Sequence, residues 1–184
     1  MAAKSNLVNM ALSLTAVCLV CSALLGGVYA VTAEPIRKAE EAKVAASIAR
    51  VLPDIAAQPL EESVSVAGTD YKYYRVPGSG YAVISTVGGF GGPLSLMVGV
   101  SEDGKVVNTV VLSHSETPGL GAKCTTDLPF IDQFKDWDPA AKRLAVRKDG
   151  GDVDAITAST ITSRAYAKAI ANAVEVYSKL TENE

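Results

Sequence analysis

Histidine and cysteine are scarce in this sequence, which argues against a metal site built from His and Cys ligands. The 184 residues include one histidine and three cysteines. Cys18 and Cys21 lie three residues apart in an apolar run, and Cys124 stands alone in the remainder of the chain. This spacing matches neither a zinc site nor a disulfide framework. We therefore predict no metal ligands and interpret Cys124 as a structural residue.

Clustered charge of one sign is also absent. The 17 Lys and Arg residues are scattered among 20 Asp and Glu residues. No surface is predicted that could follow a phosphate backbone, so nucleic acid is not an expected partner. A Gly-x-Ser-x-Gly motif is missing, which leaves a hydrolase built on His114 as a weak alternative. Residues 88–93 are rich in glycine, but a strand-like segment follows them, which excludes a dinucleotide-binding fingerprint.

The longest feature that is present is an uncharged N-terminal stretch. No charged side chain lies between Lys4 and Glu34, and about 20 apolar residues suffice for a helix to cross the hydrocarbon of a bilayer. The stretch predicts a transmembrane anchor over residues 1–33 that contains Cys18 and Cys21. A signal peptide cleaved after Ala30 is the alternative, although the apolar run is about twice as long as a signal peptide needs.

The charges that flank the anchor leave its orientation open. Lys4 and the amino terminus lie on one side, and Arg37, Lys38 and Lys43 lie on the other. The positive-inside rule slightly favours a cytoplasmic C-terminal domain, but long domains cross the membrane largely regardless of flanking charge.

The rest of the chain predicts an α+β fold. Residues 34–70 are interpreted as a juxtamembrane helix that ends near Pro53, followed by a linker. Residues 71–184 are interpreted as one domain with a mainly antiparallel sheet and flanking helices. The order of the elements, a meander of strands and then a helix, argues against a parallel doubly wound sheet.

The individual elements follow from short apolar runs and turn signals. Strands are predicted at residues 71–76, 81–87, 94–100, 105–113 and 143–147, and Asp103-Gly104 predicts a hairpin turn. Helices are predicted at residues 130–137 and from Thr160 to about Leu180. The last helix has an apolar stripe that consists of Ile161, Ala165, Ala169, Ala173 and Val176.

Two segments could carry chemistry. Residues 154–163 are rich in hydroxyl groups and lead into the last helix, where free N–H groups and positive partial charge favour a phosphate. Plain N-capping would explain the same residues. Residues 114–123 contain Pro118, Gly119 and Gly121 in a tight loop whose backbone N–H groups could bind a ligand, although such a loop is also an ordinary turn.

Taken together, these segments resemble the FMN-binding domain shared by the G subunit of the Rnf electron-transport complex and the C subunit of the sodium-pumping NADH:quinone reductase. The resemblance covers nearly the whole chain, and the short length favours the Rnf subunit. The segments that carry it are the single N-terminal anchor, Glu34-Pro35-Ile36, Gly89-Phe90-Gly91-Gly92-Pro93, Glu116-Thr117-Pro118-Gly119-Leu120-Gly121, and residues 154–160.

The resemblance implies that FMN is attached through a phosphoester to Thr160. In this family the acceptor is the last hydroxyl of the motif Asp-x-x-(Ser/Thr)-Gly-Ala-(Thr/Ser). Asp154 and Thr157 match the motif, whereas Ala158 and Ser159 stand where Gly and Ala are usual, and Ser159 offers a competing acceptor. If position 158 requires a positive φ, Ala158 costs about 1 kcal/mol of stability.

From this attachment point we predict where the rest of the cofactor lies. The phosphate is expected at the N-terminus of the last helix and the ring against residues 116–121, with Thr157 and Thr117 hydrogen-bonded to the ribityl chain or the phosphate. The complete set of expected cofactor-binding residues is Thr160, Thr157, Ser159, Asp154, Ile161, Glu116, Thr117, Gly119, Leu120, Gly121 and Lys123.

Function, partners and location are implied in the same way. The chain is expected to be an electron-carrier subunit of a membrane-bound, ion-translocating ferredoxin:NAD oxidoreductase, with no substrate turnover of its own and with the other Rnf subunits as partners. A separate flavin transferase would attach the FMN from a magnesium-bound flavin dinucleotide. The domain would lie outside the cytoplasm on a single-pass protein of the bacterial cytoplasmic membrane. The alternatives are the C subunit of the quinone reductase and a cofactor-free, membrane-anchored interaction module.

Overall fold

The computed structural model describes residues 7–53 and 57–182. The first six residues of the predicted anchor, with Lys4, lie outside the described residues, as do residues 54–56 of the predicted linker and the last two residues. The chain forms two compact units, Met1–Val44 and Ala45–Glu184. The second unit thus begins before residue 71, where the sequence predicts the start of the domain.

The first element is a single helix, α1, that spans Leu7–Val51. By its length and apolar composition it could cross a membrane. Pro35 lies inside the helix, so Glu34-Pro35 continues the helix rather than starting a new one. The charged part that follows the apolar run carries exposed i,i+4 ion pairs between Arg37 and Glu41 and between Glu34 and Lys38. The predicted juxtamembrane helix is confirmed as far as Val51.

The second unit contains a five-stranded antiparallel sheet in which neighbouring strands are also neighbours in sequence. Its strands are β1 (Leu60–Val66), β2 (Thr69–Val76), β3 (Gly80–Gly88), β4 (Pro93–Val100) and β5 (Val106–His114). The predicted strands that correspond to β2–β5 are confirmed. The turn between β4 and β5 closes with the Gly104 N–H donating to the Ser101 carbonyl oxygen at 3.0 Å, and Gly104 supplies the positive φ of 77°.

Three secondary-structure predictions are wrong or too long. Part of the predicted linker forms β1, an edge strand that pairs with β2. Residues 143–147 do not form a strand; Val146 makes one isolated bridge with Val153 and a short 3-10 helix, Arg147–Asp149, follows. The helix predicted over residues 130–137 is the shorter α2, Leu128–Asp132.

The last helix, α3 (Thr160–Glu182), covers one face of the sheet and contacts β3 and β4. Its predicted stripe is confirmed from Ala165 onward, because Ala165, Ala169, Ala173 and Val176 are buried. Ile161 does not belong to that stripe, since half of its surface is exposed. The core that α3 completes includes Val83, Leu94, Leu96, Val98, Phe134, Tyr166 and Ile170.

The end of α1 also contributes to the second unit. Ile48, Val51 and Leu52 are buried, and the Val51 carbonyl lies so close to β4 that a Cβ at Gly99 would come within 2.2 Å of its oxygen. The Asn108 side chain donates a hydrogen bond to the Arg50 carbonyl oxygen at 2.9 Å. Residues 45–52 are therefore part of the packed domain rather than of a free linker.

Candidate cofactor site

A cavity of about 310 Å³ lies where three segments of the second unit meet. The segments are the glycine-rich turn between β3 and β4, the loop that follows β5, and the start of α3. The lining residues are Phe90, Glu116, Thr117, Leu120, Gly121, Ala158, Ser159, Thr160, Ile161 and Thr162.

Glu116 connects all three segments. Its side chain is buried; one carboxylate oxygen accepts a hydrogen bond from the Phe90 backbone N–H at 2.8 Å, and the other accepts one from the Thr162 hydroxyl at 2.7 Å. Hydrogen bonds to a charged acceptor are stronger than those between neutral groups. The carboxylate therefore fixes the glycine-rich turn and the start of α3 against the loop that carries Glu116.

Two glycines leave room for this carboxylate. A Cβ at Gly89 would lie 2.0 Å from one carboxylate oxygen, and a Cβ at Gly121 would lie 2.4 Å from the other and 2.6 Å from the Thr162 hydroxyl oxygen. Both separations are far below van der Waals contact. Glycine is required at these positions because of close packing, not because of backbone conformation.

The start of α3 has an unusual backbone conformation. Ala158 has a φ of 60°, in the left-handed region that glycine adopts more easily. Ser163 then holds the turn, because its hydroxyl donates to the Ser159 carbonyl oxygen and accepts from the Ile156 N–H, both at 3.0 Å. The first N–H groups of a helix have no intrahelical partner and carry positive partial charge, so this end of the cavity favours an anion.

The mouth of the cavity is apolar. Phe90, Leu120 and Ile161 are 66%, 44% and 50% exposed, respectively, and each comes from a different one of the three segments. Exposed apolar side chains around a cavity are typical of a ligand site. An aromatic ring against these side chains, with a phosphate at the start of α3, fits the combination of apolar wall and helix N-terminus.

Seven of the residues predicted to bind the cofactor line this cavity. They are Glu116, Thr117, Leu120, Gly121, Ser159, Thr160 and Ile161. Gly119 and Lys123 are not among its lining residues; Gly119 has a φ of 77° and supplies the turn of the loop, and Lys123 lies in a short 3-10 helix, Gly121–Thr125.

Asp154 and Thr157 lie in a separate depression of about 220 Å³. The Gln133 side-chain amide accepts from the Asp154 N–H at 2.8 Å and donates to the Asp154 carbonyl oxygen at 3.0 Å, and Arg147 forms an ion pair with the Asp154 carboxylate. This placement gives no support to a contact of Asp154 or Thr157 with the cofactor, which stays a prediction.

The set of predicted site residues omits Phe90, Ala158 and Thr162. Thr162 belongs to the hydroxyl-rich run that the sequence singles out, and Phe90 is the one large side chain within the glycine-rich turn, so both signals were available. Their contacts with Glu116 could not be predicted, because Phe90 lies 26 positions and Thr162 46 positions from Glu116 along the chain.

Two other titratable residues near the cavity, His114 and Cys124, are constrained by a hydrogen bond and by burial, respectively. The Nδ1 atom of His114 accepts a hydrogen bond from the Glu116 N–H at 3.2 Å. Cys124 is fully buried, and desolvation together with the nearby Glu116 charge raises the pKa of its thiol to about 11. A thiol with such a pKa stays protonated and unreactive at neutral pH, which agrees with a structural role.

Comparison with known proteins identifies the domain and its relatives. Residues 89–175 match the FMN-binding domain family, and these residues include all three segments of the cavity. The G subunit of the proton-translocating ferredoxin:NAD(+) oxidoreductase complex of Clostridium ljungdahlii is 34% identical over 175 residues, which cover 92% of this chain and 90% of the relative. The G subunit of the ion-translocating oxidoreductase complex of Shewanella baltica is 31% identical, over 93% of this chain and 89% of the relative. The chain therefore belongs to the family of G subunits of ion-translocating oxidoreductase (Rnf) complexes and contains an FMN-binding domain.

Proposed function

We propose that this chain is a flavin-carrying electron-transfer subunit of a membrane-bound, ion-translocating ferredoxin:NAD oxidoreductase, and that its FMN is bonded through a phosphoester to Thr160. The observation that carries the proposal is the cavity at the start of α3, which lies within the matched FMN-binding domain. The relatives named above supply the type of complex, and α1 supplies an anchor of sufficient length.

The exposure of the two candidate hydroxyls favours Thr160 as the acceptor. Thr160 is half-buried and lines the cavity, whereas neighbouring Ser159 is buried. An enzyme that modifies a folded domain must reach the hydroxyl from solvent. Thr160 also begins α3, where the phosphate that it would carry meets the positive end of the helix.

The attachment is a phosphoryl transfer. The Thr160 hydroxyl oxygen forms a bond to the FMN phosphorus of a flavin dinucleotide, and the bond from that phosphorus to the oxygen bridging to the adenylate breaks. The hydroxyl proton is released, and adenosine monophosphate leaves. The protein gains the mass of one FMN less one water, and no oxidant or reductant is required.

The residues of the cavity position and orient the cofactor. When bound, the flavin supplies the electron-transfer chemistry. The N–H groups at the start of α3 bind the phosphate, while Phe90, Leu120 and Ile161 provide apolar surface for the ring. Glu116 holds these segments together, so that the two ends of the site keep a fixed separation. With no substrate to turn over, the partners are the redox subunits that deliver and remove electrons.

The domain is proposed to lie outside the cytoplasm, and a separate flavin transferase is proposed to attach the FMN. A covalent bond suits that side, because no free flavin pool refills an empty site there. Protease added to right-side-out vesicles should then digest the domain, and digestion in inverted vesicles alone would reverse the proposed orientation.

The attachment is tested by intact-mass measurement of the full-length protein produced with and without a flavin transferase. We expect a gain of one FMN less one water, and flavin fluorescence that persists after denaturation. The Thr160→Ala variant should lose both signals completely, whereas Thr160→Ser should retain them because the hydroxyl is kept. A Thr160→Ala protein with the full mass gain would show that another residue is the acceptor.

A further inference from the structure

We propose that the Ser159 hydroxyl is a further ligand of the phosphate, and that it donates a hydrogen bond to a phosphate oxygen once the flavin is attached to Thr160. The inference rests on the proposed function and deepens it. It assigns Ser159 a binding role rather than the role of a second acceptor.

Ser159 carries a buried hydroxyl group beside the cavity. Ser159 is 6% exposed, and among residues 7–53 and 57–182 its Oγ atom finds no hydrogen bond. A polar group that is removed from water without a hydrogen bond destabilises the folded state. Buried polar groups in native structures are nearly always paired, and Ser159 lines a cavity in which a ligand can supply the partner.

The backbone of Ser159 is fixed by hydrogen bonds to neighbouring residues. Its N–H donates to the Ile156 carbonyl oxygen at 3.0 Å, and its own carbonyl oxygen accepts from both the N–H and the hydroxyl of Ser163, each at 3.0 Å. Both backbone groups are therefore satisfied and fix the residue in place. The hydroxyl is the one polar group of Ser159 that remains available.

The position of Ser159 matches a phosphate on the next residue. Ala158, Ser159 and Thr160 all line the cavity, and neighbouring Cα atoms are about 3.8 Å apart. A phosphate esterified to Thr160 is kept beside Ser159 by the chain itself. An O–H group that donates to a charged oxygen forms one of the stronger hydrogen bonds in proteins, so the ligand would turn a destabilising hydroxyl into a stabilising one.

The fold supplies a matched control for this residue. Ser85 on β3 is likewise buried, and its hydroxyl also lacks a partner in the described part of the chain. Ser85 is not a lining residue of the cavity. Replacing either serine by alanine removes one buried, unpaired hydroxyl group. Of these two serines, Ser159 alone lines the cavity in which the phosphate is proposed to bind.

The experiment measures the melting temperature of the full-length protein in detergent, produced either without the transferase (apoprotein) or with it (flavinylated protein). In the apoprotein, Ser159→Ala and Ser85→Ala should each raise the melting temperature by about 2–4 °C. In the flavinylated protein, Ser85→Ala should keep this gain. Ser159→Ala should lose it or lower the melting temperature, and should shift the phosphorus-31 resonance of the phosphoester, which Ser85→Ala should leave in place.

The outcomes separate this inference from the proposed function. If Ser159→Ala changes the melting temperature equally in both forms and leaves the phosphorus-31 resonance unchanged, Ser159 is not a phosphate ligand, although the attachment to Thr160 stands. If Ser159→Ala abolishes the mass gain while Thr160→Ala retains it, Ser159 is the acceptor and both proposals fail. A parent protein that gains no mass overturns the proposed function first.

Discussion

Ala158 shows how one residue can oppose the local geometry of a site. Its φ of 60° places it in the left-handed region, which costs a residue with a Cβ about 1–2 kcal/mol relative to the right-handed conformation. The same turn leads directly into Thr160 and is held by Ser163. The strain is therefore located beside the proposed acceptor, and the surrounding hydrogen bonds stabilise it.

Replacing Ala158 by glycine should stabilise the protein. Glycine relieves the backbone strain, which is worth about 1–2 kcal/mol. It also raises the conformational entropy of the unfolded chain, which costs about 0.4–1 kcal/mol of stability. We therefore expect the free energy of unfolding to rise by about 0.5–1 kcal/mol. Ala155→Gly is the control, because Ala155 is exposed and is not a positive-φ residue. Denaturant unfolding should show the control variant to be destabilised, and a loss of stability in Ala158→Gly would contradict the interpretation.

The identity of several site residues could be predicted from the sequence, but their contacts could not. The resemblance to a known family singled out Thr160 and Glu116, and the structure brings both to one cavity. The role of Glu116 as the connection between Phe90 and Thr162 could not be predicted, because a sequence contains no distances between remote residues. The burial of Ser159 could not be predicted for the same reason.

The helices and strands that could be predicted from the sequence are those with a periodic apolar pattern or a clear turn signal. β2–β5 and α3 were found because their apolar residues recur with a clear spacing. β1 was missed, since six of its seven residues remain at least partly exposed and Glu61 and Glu62 interrupt the apolar pattern. The strand predicted at residues 143–147 is wrong for the opposite reason. A short apolar run is present at residues 144–146, but within the described part of the chain Val146 forms just one isolated bridge, with Val153.

Gly99 tests how closely the end of α1 packs on β4. A Cβ at this position would lie 2.2 Å from the Val51 carbonyl oxygen and 2.8 Å from its carbonyl carbon. Both atoms belong to the backbone and cannot rotate away. We expect Gly99→Ala to lower the free energy of unfolding by about 1–3 kcal/mol, as for other overpacked sites.

Gly88→Ala is the matched control for this prediction. Gly88 ends the neighbouring strand β3, and a Cβ there would meet no atom within 4 Å. This variant should be neutral or stabilised by up to about 1 kcal/mol in denaturant unfolding. Equal effects of the two substitutions would mean that residues 45–52 are not packed against the sheet as described.

Taken as a whole, the chain combines two units with different physical requirements. The first unit has exposed apolar side chains along α1, which water disfavours and a bilayer accommodates. The second unit buries its own core under α3 and includes the packed residues 45–52. The candidate cofactor site lies within the second unit, because every residue that lines the cavity comes from residues 90–162.

The buried thiol of Cys124 and the buried phenols of Tyr73 and Tyr166 predict that the stability of the protein falls at alkaline pH. Burial raises the pKa of Cys124 from 9.0 to about 11 and, with the hydrogen bond to Glu62, the pKa of Tyr73 from 10.0 to about 12; burial also raises the pKa of Tyr166. In each case the unfolded chain loses its proton at a lower pH than the folded protein does. Between about pH 9 and 12 the unfolded state therefore binds fewer protons, and the free energy of unfolding decreases as pH rises.

Cys124 allows this effect to be isolated. Cys124→Ala should lower the stability at pH 7, because it removes buried volume, but its stability should fall less steeply than that of the parent between about pH 9 and 11. Tyrosines and lysines titrate in both proteins, so the difference between the two slopes reports the thiol. Urea unfolding at about pH 7, 9, 10 and 11 measures both effects. Parallel pH dependences would mean that the thiol ionises equally in the folded and unfolded chains, and hence that Cys124 is accessible to water despite its burial in the core.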